Sequence, residues 1–353
     1  MTKLNQIKIC YLPNNLSLKA TEARRRFVYF AKYNKISYKT KIKNNFYELI
    51  YVSYGSNLSK IFQFINKNPK TKLIFEMVDA NLSDGRWINF QKGVGRFLLG
   101  KESEIYTDYR QPLKKILKKS HAIVCTSTAQ AKILKKYNKN IFITLDFFDE
   151  EIKFRKKTWL LNKKKIIRLF WEGMIDNLNH LLMLNEIYIH LDFIIHVVIV
   201  TDLKKPLFLG MFGFDAKNIV KDFKFSFEIH EWNSVEISKI AITCDVGIIP
   251  INLNNIKASY KSENKLIFMW KIGLPVIASA TFAYKDAMKL ARVKMYAKDI
   301  HDWIKILNSI YKSDDDKYHE YKQRVDKLIK KKYSTEKLVN DWSKVFKFVG
   351  FKV

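Results

Sequence analysis

Long apolar runs are missing from this chain. The best of them, at 193–200, is interrupted by His196 and has the length of a strand, whereas a bilayer span needs about 20 apolar residues. A transmembrane helix is therefore not expected. Residues 1–6 also lack the apolar stretch of a secretory signal and lead at once into a strand pattern, so the reading is a cytoplasmic protein. Cysteine is scarce: Cys10, Cys125 and Cys244 lie far apart, each in or beside an apolar run. An odd count without metal-ligand spacing argues against a disulfide framework and leaves three small core residues in a reduced compartment. The seven histidines do not cluster, so no metal site is expected. There is no internal repeat and no low-complexity linker. Acid is short as well, with 34 Asp and Glu against 64 Lys and Arg, a formal charge of +30. That excess suits nucleic acid, an anionic membrane surface or anionic substrates. Lys, Asn, Ile, Phe and Tyr are all abundant, as in the products of A- and T-rich genomes, so charge alone discriminates little.

What is present is alternation. The chain has 353 residues, 48% of them hydrophobic, too many for one ordinary core and suited to two domains of roughly 150 residues each. Strands are expected at 7–12, 46–52, 72–78, 122–126 and 141–144. Helices are expected at 18–33, at 128–137 and after 57, where Leu58, Ile61, Phe62 and Ile65 share a face. The second half repeats the pattern. Its strands fall at 166–171, 193–200, 223–229, 246–249 and 275–278, its helices at 177–190, 235–244 and 263–272, and helix continues from 301 to nearly the end. Such alternation implies an α/β fold of two doubly wound, Rossmann-like parallel-sheet domains facing a cleft, with ligands at the carboxyl ends of the strands. The domains are expected at 1–155 and 156–330, followed by a C-terminal segment, 331–353.

The segment 244–279 carries the most chemistry. A strand ends at Pro250, a polar loop follows, and Lys261-Ser262-Glu263-Asn264-Lys265 opens a helix that Gly273 closes. A helix start near Ser262 presents free N–H groups and a partial positive charge, and Lys261 and Lys265 add full charges beside it. That combination suits a diphosphate. A capped helix with solvated lysines is the plainer reading of the same residues.

The order of several segments resembles the bacterial GT-B glycosyltransferases, with a group 1-like C-terminal domain. DVGIIP at 245–250, KSENK at 261–265 and GLPVIAS at 273–279 match the strand, helix start and following strand of that domain. AIVCTST at 122–128 resembles a segment late in the N-terminal domain. Phe170-Trp171-Glu172-Gly173 resembles the first strand and glycine turn of the C-terminal domain, and His230-Glu231-Trp232 the loop that faces the donor base. The resemblance spans about 122–280 and implies GT-B architecture: an acceptor-binding domain 1–155, a nucleotide-sugar domain 156–330, and a last helix returning to the first domain through Trp342, Phe346 and Phe348. It implies donor contacts at Glu172, Gly173, His230, Glu231, Lys261, Ser262, Asn264 and Lys265. The activity implied is metal-independent glycosyl transfer from a nucleotide-sugar co-substrate to a glycan or lipid-linked acceptor in surface polysaccharide synthesis, with no further cofactor.

One departure leaves the stereochemistry open. Retaining members carry two glutamates about the helix start; here Tyr260 and Phe268 occupy those places, and Glu263 is out of register. An inverting route needs a general base for the acceptor hydroxyl. Asp79, at the carboxyl end of the 72–78 strand, is the first candidate, with Asp84 and Glu76 behind it. Asp314-Asp315-Asp316 reads as a solvated helix start rather than a metal site. The segment 19–43 is basic, with Lys19, Arg24, Arg25 and Arg26 among aromatics Phe27, Tyr29, Phe30, Tyr33 and Tyr38, and is a candidate for docking at the inner face of an anionic membrane. Two other readings compete: a phage-type GT-B enzyme that glucosylates DNA, and a basic nucleic-acid-binding protein without activity. No recognition motif supports the last, and nucleic acid is not the expected partner.

Overall fold

The computed structural model describes all 353 residues except 15–17, 19, 44–45, 80, 158–165, 208–211, 256, 258–259 and 314. The chain divides into two compact units, one formed by Met1–Phe147 with Thr335–Val353, the other by Phe148–Ser334.

The first unit is built on five parallel strands in the order of the sequence: β1 (Ile9–Leu12), β2 (Leu49–Ser53), β3 (Lys72–Glu76), β4 (Ala122–Cys125) and β5 (Ile141–Ile143). Strands β1, β2 and β4 are apolar along their whole length or nearly so, as burial on both faces demands. Beyond β1, Cys10 bridges Lys39 in parallel, so the chain reverses its direction of travel across the sheet at β1. Helices α1 (Phe27–Tyr33), α2 (Leu58–Lys67), α3 (Arg86–Leu98), α4 (Arg110–Lys119) and α5 (Thr128–Leu134) connect the strands. The expected face of α2 is real: Leu58, Ile61 and Phe62 are buried and Ile65 packs against the same core. Its start is capped twice, because Asn57 accepts from Lys60 N (2.9 Å) and the Glu102 carboxylate takes the N–H groups of Leu58 and Ser59 at 3.1 Å each.

The single helix expected at 18–33 is broken. A turn of helix at Thr21–Arg24 and α1 are separated by Arg26, whose φ of −128° and ψ of −117° are not helical. At the break the guanidinium enters the interior. This corrects the membrane reading of that segment: Arg26 is buried, and so are Phe27 and Phe30. These rings stack on the C-terminal helix, Thr335–Phe348. Phe30 lies 4.9 Å from Phe346 and 5.6 Å from Trp342, and the Trp342 indole N–H donates to the Leu145 carbonyl (3.2 Å). Phe348 behaves otherwise than expected, being half exposed with its ring 5.3 Å from Phe142. The chain end closes with Thr2–Lys3 paired in parallel to Phe351–Lys352. Lys19 lies outside the described residues.

The second unit contains six parallel strands: β6 (Ile166–Glu172), β7 (Ile194–Thr201), β8 (Ser226–Glu231), β9 (Val246–Ile249), β10 (Val276–Ser279) and β11 (Tyr296–Ala297). Their order is β8-β7-β6-β9-β10-β11. This is the doubly wound order in which the strand sequence reverses between β6 and β9, opening a crevice at their carboxyl ends. Helix α6 (Asn264–Ile272) joins β9 to β10 and ends at Gly273, whose φ of +94° only glycine adopts cheaply. A Cβ there would also lie 2.2 Å from the Lys156 carbonyl. Lys156 N donates to Ile272 O (2.7 Å), and Lys153 and Phe154 N donate to Ser238 Oγ. These bonds fasten residues 148–156 to the second unit, a few residues earlier than the boundary expected at 155. Elsewhere the expected helix at 177–190 is a 3-10 segment, Ile175–Met183, followed by one α turn, Leu184–Ile187. An antiparallel pair, Lys204–Leu207 with Phe212–Asp215, had no counterpart in the sequence reading. The charged triplet is entered by the helix Asp315–Lys332; Asp314 itself lies outside the described residues.

Candidate functional site

In the second unit the crevice is bounded by the turn after β6 and the start of α6. Glu172 ends β6. Its carbonyl accepts a hydrogen bond from Lys265 Nζ at 2.5 Å, and the same ammonium sits 5.3 Å from the centre of the Trp171 ring. Gly173 follows in the chain. A Cβ on it would lie 2.8 Å from two Trp171 ring carbons and 3.0 Å from Lys265 Nζ, so the close approach of lysine to backbone requires glycine. Helix α6 begins at Asn264, with Glu263 at the cap making no capping bond through its side chain. The helix start is thus one residue later than the one read around Ser262, which precedes the cap. Lys265, the second residue of the helix, adds its charge to the first turn, where the helix dipole already concentrates positive potential. Lys261 Nζ reaches Asn177 Oδ1 at 3.3 Å. The field of these lysines is felt by His180: burial, reinforced by Lys261 and Lys265, holds its imidazole below the ordinary value of 6.5. Two lysines, a helix start and an approachable glycine form an arrangement suited to a polyphosphate or similar anion.

Glu172 is nearly buried, and its carboxylate accepts from the Trp232 indole N–H at 3.2 Å. His230 lies two residues before Trp232, but its ring Nε2 is 3.4 Å from Glu228 Oε1, and Glu228 is also held by Arg168 at 2.7 Å. Burial raises the Glu228 carboxyl, and the neighbouring His230 ring and Arg168 charge outweigh this and lower it. Glu231 is exposed at the end of β8. The structure thus gathers Glu172, Gly173, Lys261, Asn264 and Lys265 about one crevice and ties His230 into a cross-strand ion cluster. It also brings in Asn177, His180 and Trp232, which sequence reasoning did not select as site residues. Asn177 and His180 follow the glycine turn by four and seven residues, a spacing that could have flagged them. Phe268 is buried with its ring 5.3 Å from Phe148, so the place of the second retaining glutamate belongs to the core.

In the first unit the three acid candidates separate. Glu76 is fully buried. Arg26 Nε donates to it at 2.7 Å, Tyr51 Oη at 2.8 Å and Ser53 Oγ at 3.0 Å, while Arg26 Nη1 reaches Asp146 at 2.7 Å and Nη2 reaches Thr144 Oγ1 at 2.8 Å. Burial and the Glu76 charge push the Tyr51 hydroxyl well above its ordinary range, which keeps it a donor. Asp84 is buried and accepts from Lys92 Nζ at 2.5 Å. These two are structural ion pairs, which removes them as candidates for a base. Asp79 is exposed, three residues beyond the end of β3. Its backbone is fixed by Gln130 of α5, whose amide donates to Asp79 O at 2.9 Å and to Met77 O at 2.6 Å, and by Thr126, which donates to Val78 O at 3.1 Å.

The three cysteines are free and buried; burial pushes the Cys10 and Cys125 thiols up to about 12 and Cys244 to about 11. Among the described residues no group of three or more His, Cys, Asp and Glu side chains gathers as metal ligands, and no helix is long and apolar enough to cross a membrane.

No protein-family model matches the sequence, and no curated protein matches it. Solved structures do. HepE of Anabaena, in complex with UDP and glucose, is similar with a TM-score of 0.63 at 10% identity over 97% of this chain and 99% of that one. A glycosyltransferase from Rickettsia africae gives 0.60 at 9% identity over 97% and 98%. TarM of S. aureus, in complex with UDP and α-GlcNAc-glycerol, gives 0.54 at 13% identity over 84% of this chain, which spans 55% of the length of TarM. The chain has the GT-B fold.

Proposed function

We propose that the chain is a glycosyltransferase that moves a sugar from a nucleotide-sugar donor to a glycan or lipid-linked acceptor, at the cytoplasmic face of the membrane, in surface polysaccharide synthesis. The observation that carries this reading is the crevice at the strand reversal of the second unit, where Lys265 bridges the start of α6 to the backbone beside Gly173. The fold it shares with the UDP-bound HepE and TarM structures supports a nucleotide diphosphate there.

The chemistry is the breaking of the C1–O bond between sugar and diphosphate and the formation of a bond from C1 to an acceptor oxygen. The leaving diphosphate gains charge as the bond breaks. Lys265, Lys261 and the N–H groups at the start of α6, about Ser262 and Asn264, meet that charge without the involvement of a metal ion. Trp232 holds Glu172 in place beside the donor, while His230 and Glu231 border the nucleoside. In an inverting reaction the acceptor hydroxyl loses its proton to Asp79, which then carries it as a carboxylic acid.

The test is a thermal-shift screen of nucleotide sugars. A ligand at 100 times its dissociation constant stabilises by about 2.7 kcal/mol, enough to single out one nucleotide. Lys265→Ala should weaken the donor about tenfold or more, because a charged hydrogen bond contributes roughly 1.5–3 kcal/mol. Stabilisation by no nucleotide sugar, with tight salt-sensitive binding of duplex DNA instead, would overturn the proposal in favour of a nucleic-acid protein.

A further inference from the structure

Helix α3 is amphipathic the wrong way round. Residues spaced three and four apart on a helix share a face, and on a surface helix that stripe is ordinarily apolar and turned inward. Here the inward stripe is Asn89, Lys92, Gly93 and Arg96. Asn89 Nδ2 donates to the carbonyls of Asp84 (2.8 Å) and Gly85 (2.9 Å). Lys92 pairs with Asp84, and Arg96 donates to the carbonyls of Gly55 (2.7 Å) and Ser56 (3.0 Å) while its guanidinium lies 5.1 Å from the Tyr109 ring centre. Gly93 sits so close to the chain that a Cβ would be 1.7 Å from the Tyr106 carbonyl. With the polar side thus committed, the outward side carries Trp87, Phe90, Phe97 and Leu98, continued by Leu99. Trp87 is 68% exposed and Leu98 75%.

Along the helix itself the charge is of one sign. Between Gly85 and Lys101 there is no Asp or Glu, while Arg86 and Lys101 are exposed at its two ends. The acids that flank the stretch, Asp84 and Glu102, are both buried and held in ion pairs by Lys92 and Arg96. A groove of about 690 Å³ opens beside Trp87 and Phe90 and is bordered by Arg86 and by Arg110, itself paired with Asp108. Aromatic and leucine side chains flanked by cations are the composition of a helix that lies in a lipid interface. A second copy of this chain fits less well, since each copy carries a formal charge of +30 and like charges would oppose the pairing.

We infer that the outward face of α3 docks on an anionic phospholipid surface, with Trp87 and Leu98 entering the acyl boundary and Arg86 and Lys101 meeting lipid phosphates. This goes beyond the donor-site reading and does not depend on it. The face lies on α3, not on the 19–43 segment, where Arg26, Phe27 and Phe30 are spent in the core.

Flotation of the full chain with vesicles of phosphatidylglycerol and phosphatidylcholine, against phosphatidylcholine alone, tests it without donor or acceptor. The chain should float with the anionic vesicles and far less with the neutral ones. Trp87→Ser combined with Leu98→Ser should cut partitioning more than tenfold, since loss of each inserted side chain contributes roughly a tenfold factor. Arg86→Glu with Lys101→Glu should cut it about thirtyfold or more, since each cation lost near the surface contributes about fivefold. The thermal midpoint of both variants should stay that of the parent, because the replaced side chains face outward. The inference is overturned if the parent ignores anionic vesicles, if either variant binds as the parent does, or if only Arg24→Glu with Arg25→Glu abolishes binding. It is equally overturned if the parent is a dimer in lipid-free sedimentation and Leu98→Ser makes it a monomer, for then a second copy covers the face.

Discussion

Two strands, one in each unit, end on an acid at their carboxyl end. Glu76 closes β3 and Glu172 closes β6. At Glu76 the carboxylate is sealed by Arg26 from the helix break and by Tyr51 and Ser53 from β2. At Glu172 the carboxylate accepts from the Trp232 indole N–H, and Lys265 bonds the backbone carbonyl of the same residue. The first arrangement satisfies every charge and leaves nothing for a ligand. The second sets Lys265, Gly173 and a helix start about one crevice. The surroundings of an acid at the carboxyl end of a strand are therefore set by the side chains that other segments bring to it. In the first unit Asp79, three residues further on, is exposed.

The comparison is broken most severely through Arg26. Arg26→Met should leave Glu76 buried without its cation and destabilise the first unit by about 3–5 kcal/mol, of the order of a domain's whole stability. Urea unfolding measures this, and a midpoint equal to the parent's would show that Glu76 is not a structural ion. Next in size is Asp79→Asn. Turnover should fall by about 10²–10⁴-fold, the usual contribution of a general base, with donor binding by thermal shift retained. Near-parental turnover would remove Asp79 from the mechanism, and a product that keeps the donor's anomeric configuration would remove the need for a base at all. The smallest effect sharpens the other side of the comparison. The His180 imidazole is held below its ordinary value of 6.5 by burial and by the two lysines. As pH falls through that value the unfolded chain takes up the proton more readily than the folded one, so the contribution of His180 to stability is present above it and lost below. His180→Gln should flatten the fall in thermal midpoint between neutral and mildly acidic pH. An unchanged slope would mean that the positive field at the crevice does not reach that ring.

Much of this was legible beforehand for a physical reason. Parallel strands buried on both faces must be short, apolar and separated by helices, so β1, β4, β6, β7 and β9 announce themselves, as does α6 with its closing glycine. Boundaries were less legible where side chains compete for the interior. The 18–33 helix broke because Arg26 reaches buried acids, and the strand expected at 223–229 moved to 226–231 because Phe223 and Phe225 stack on each other at 4.9 Å. The lysines of the crevice were readable from their place at a helix start. Asn177 and Trp232 were not, since nothing in local spacing says which polar side chains will converge from separate loops.

Sequence by itself determined the α/β alternation, the two-unit division and the lysines at a helix start, because these rest on periodicity and on a charge pattern within a few residues. Tertiary structure alone decided which acids are struts and which cations are surface. Glu76, Asp84 and Asp79 are chemically alike and close in the chain, and only the groups brought to them from distant segments set their fates. The same holds for α3, whose composition is that of any amphipathic helix. Its orientation, polar side inward, follows from carbonyls at Gly55 and Ser56 and an acid at Asp84 that only the folded chain assembles beside it.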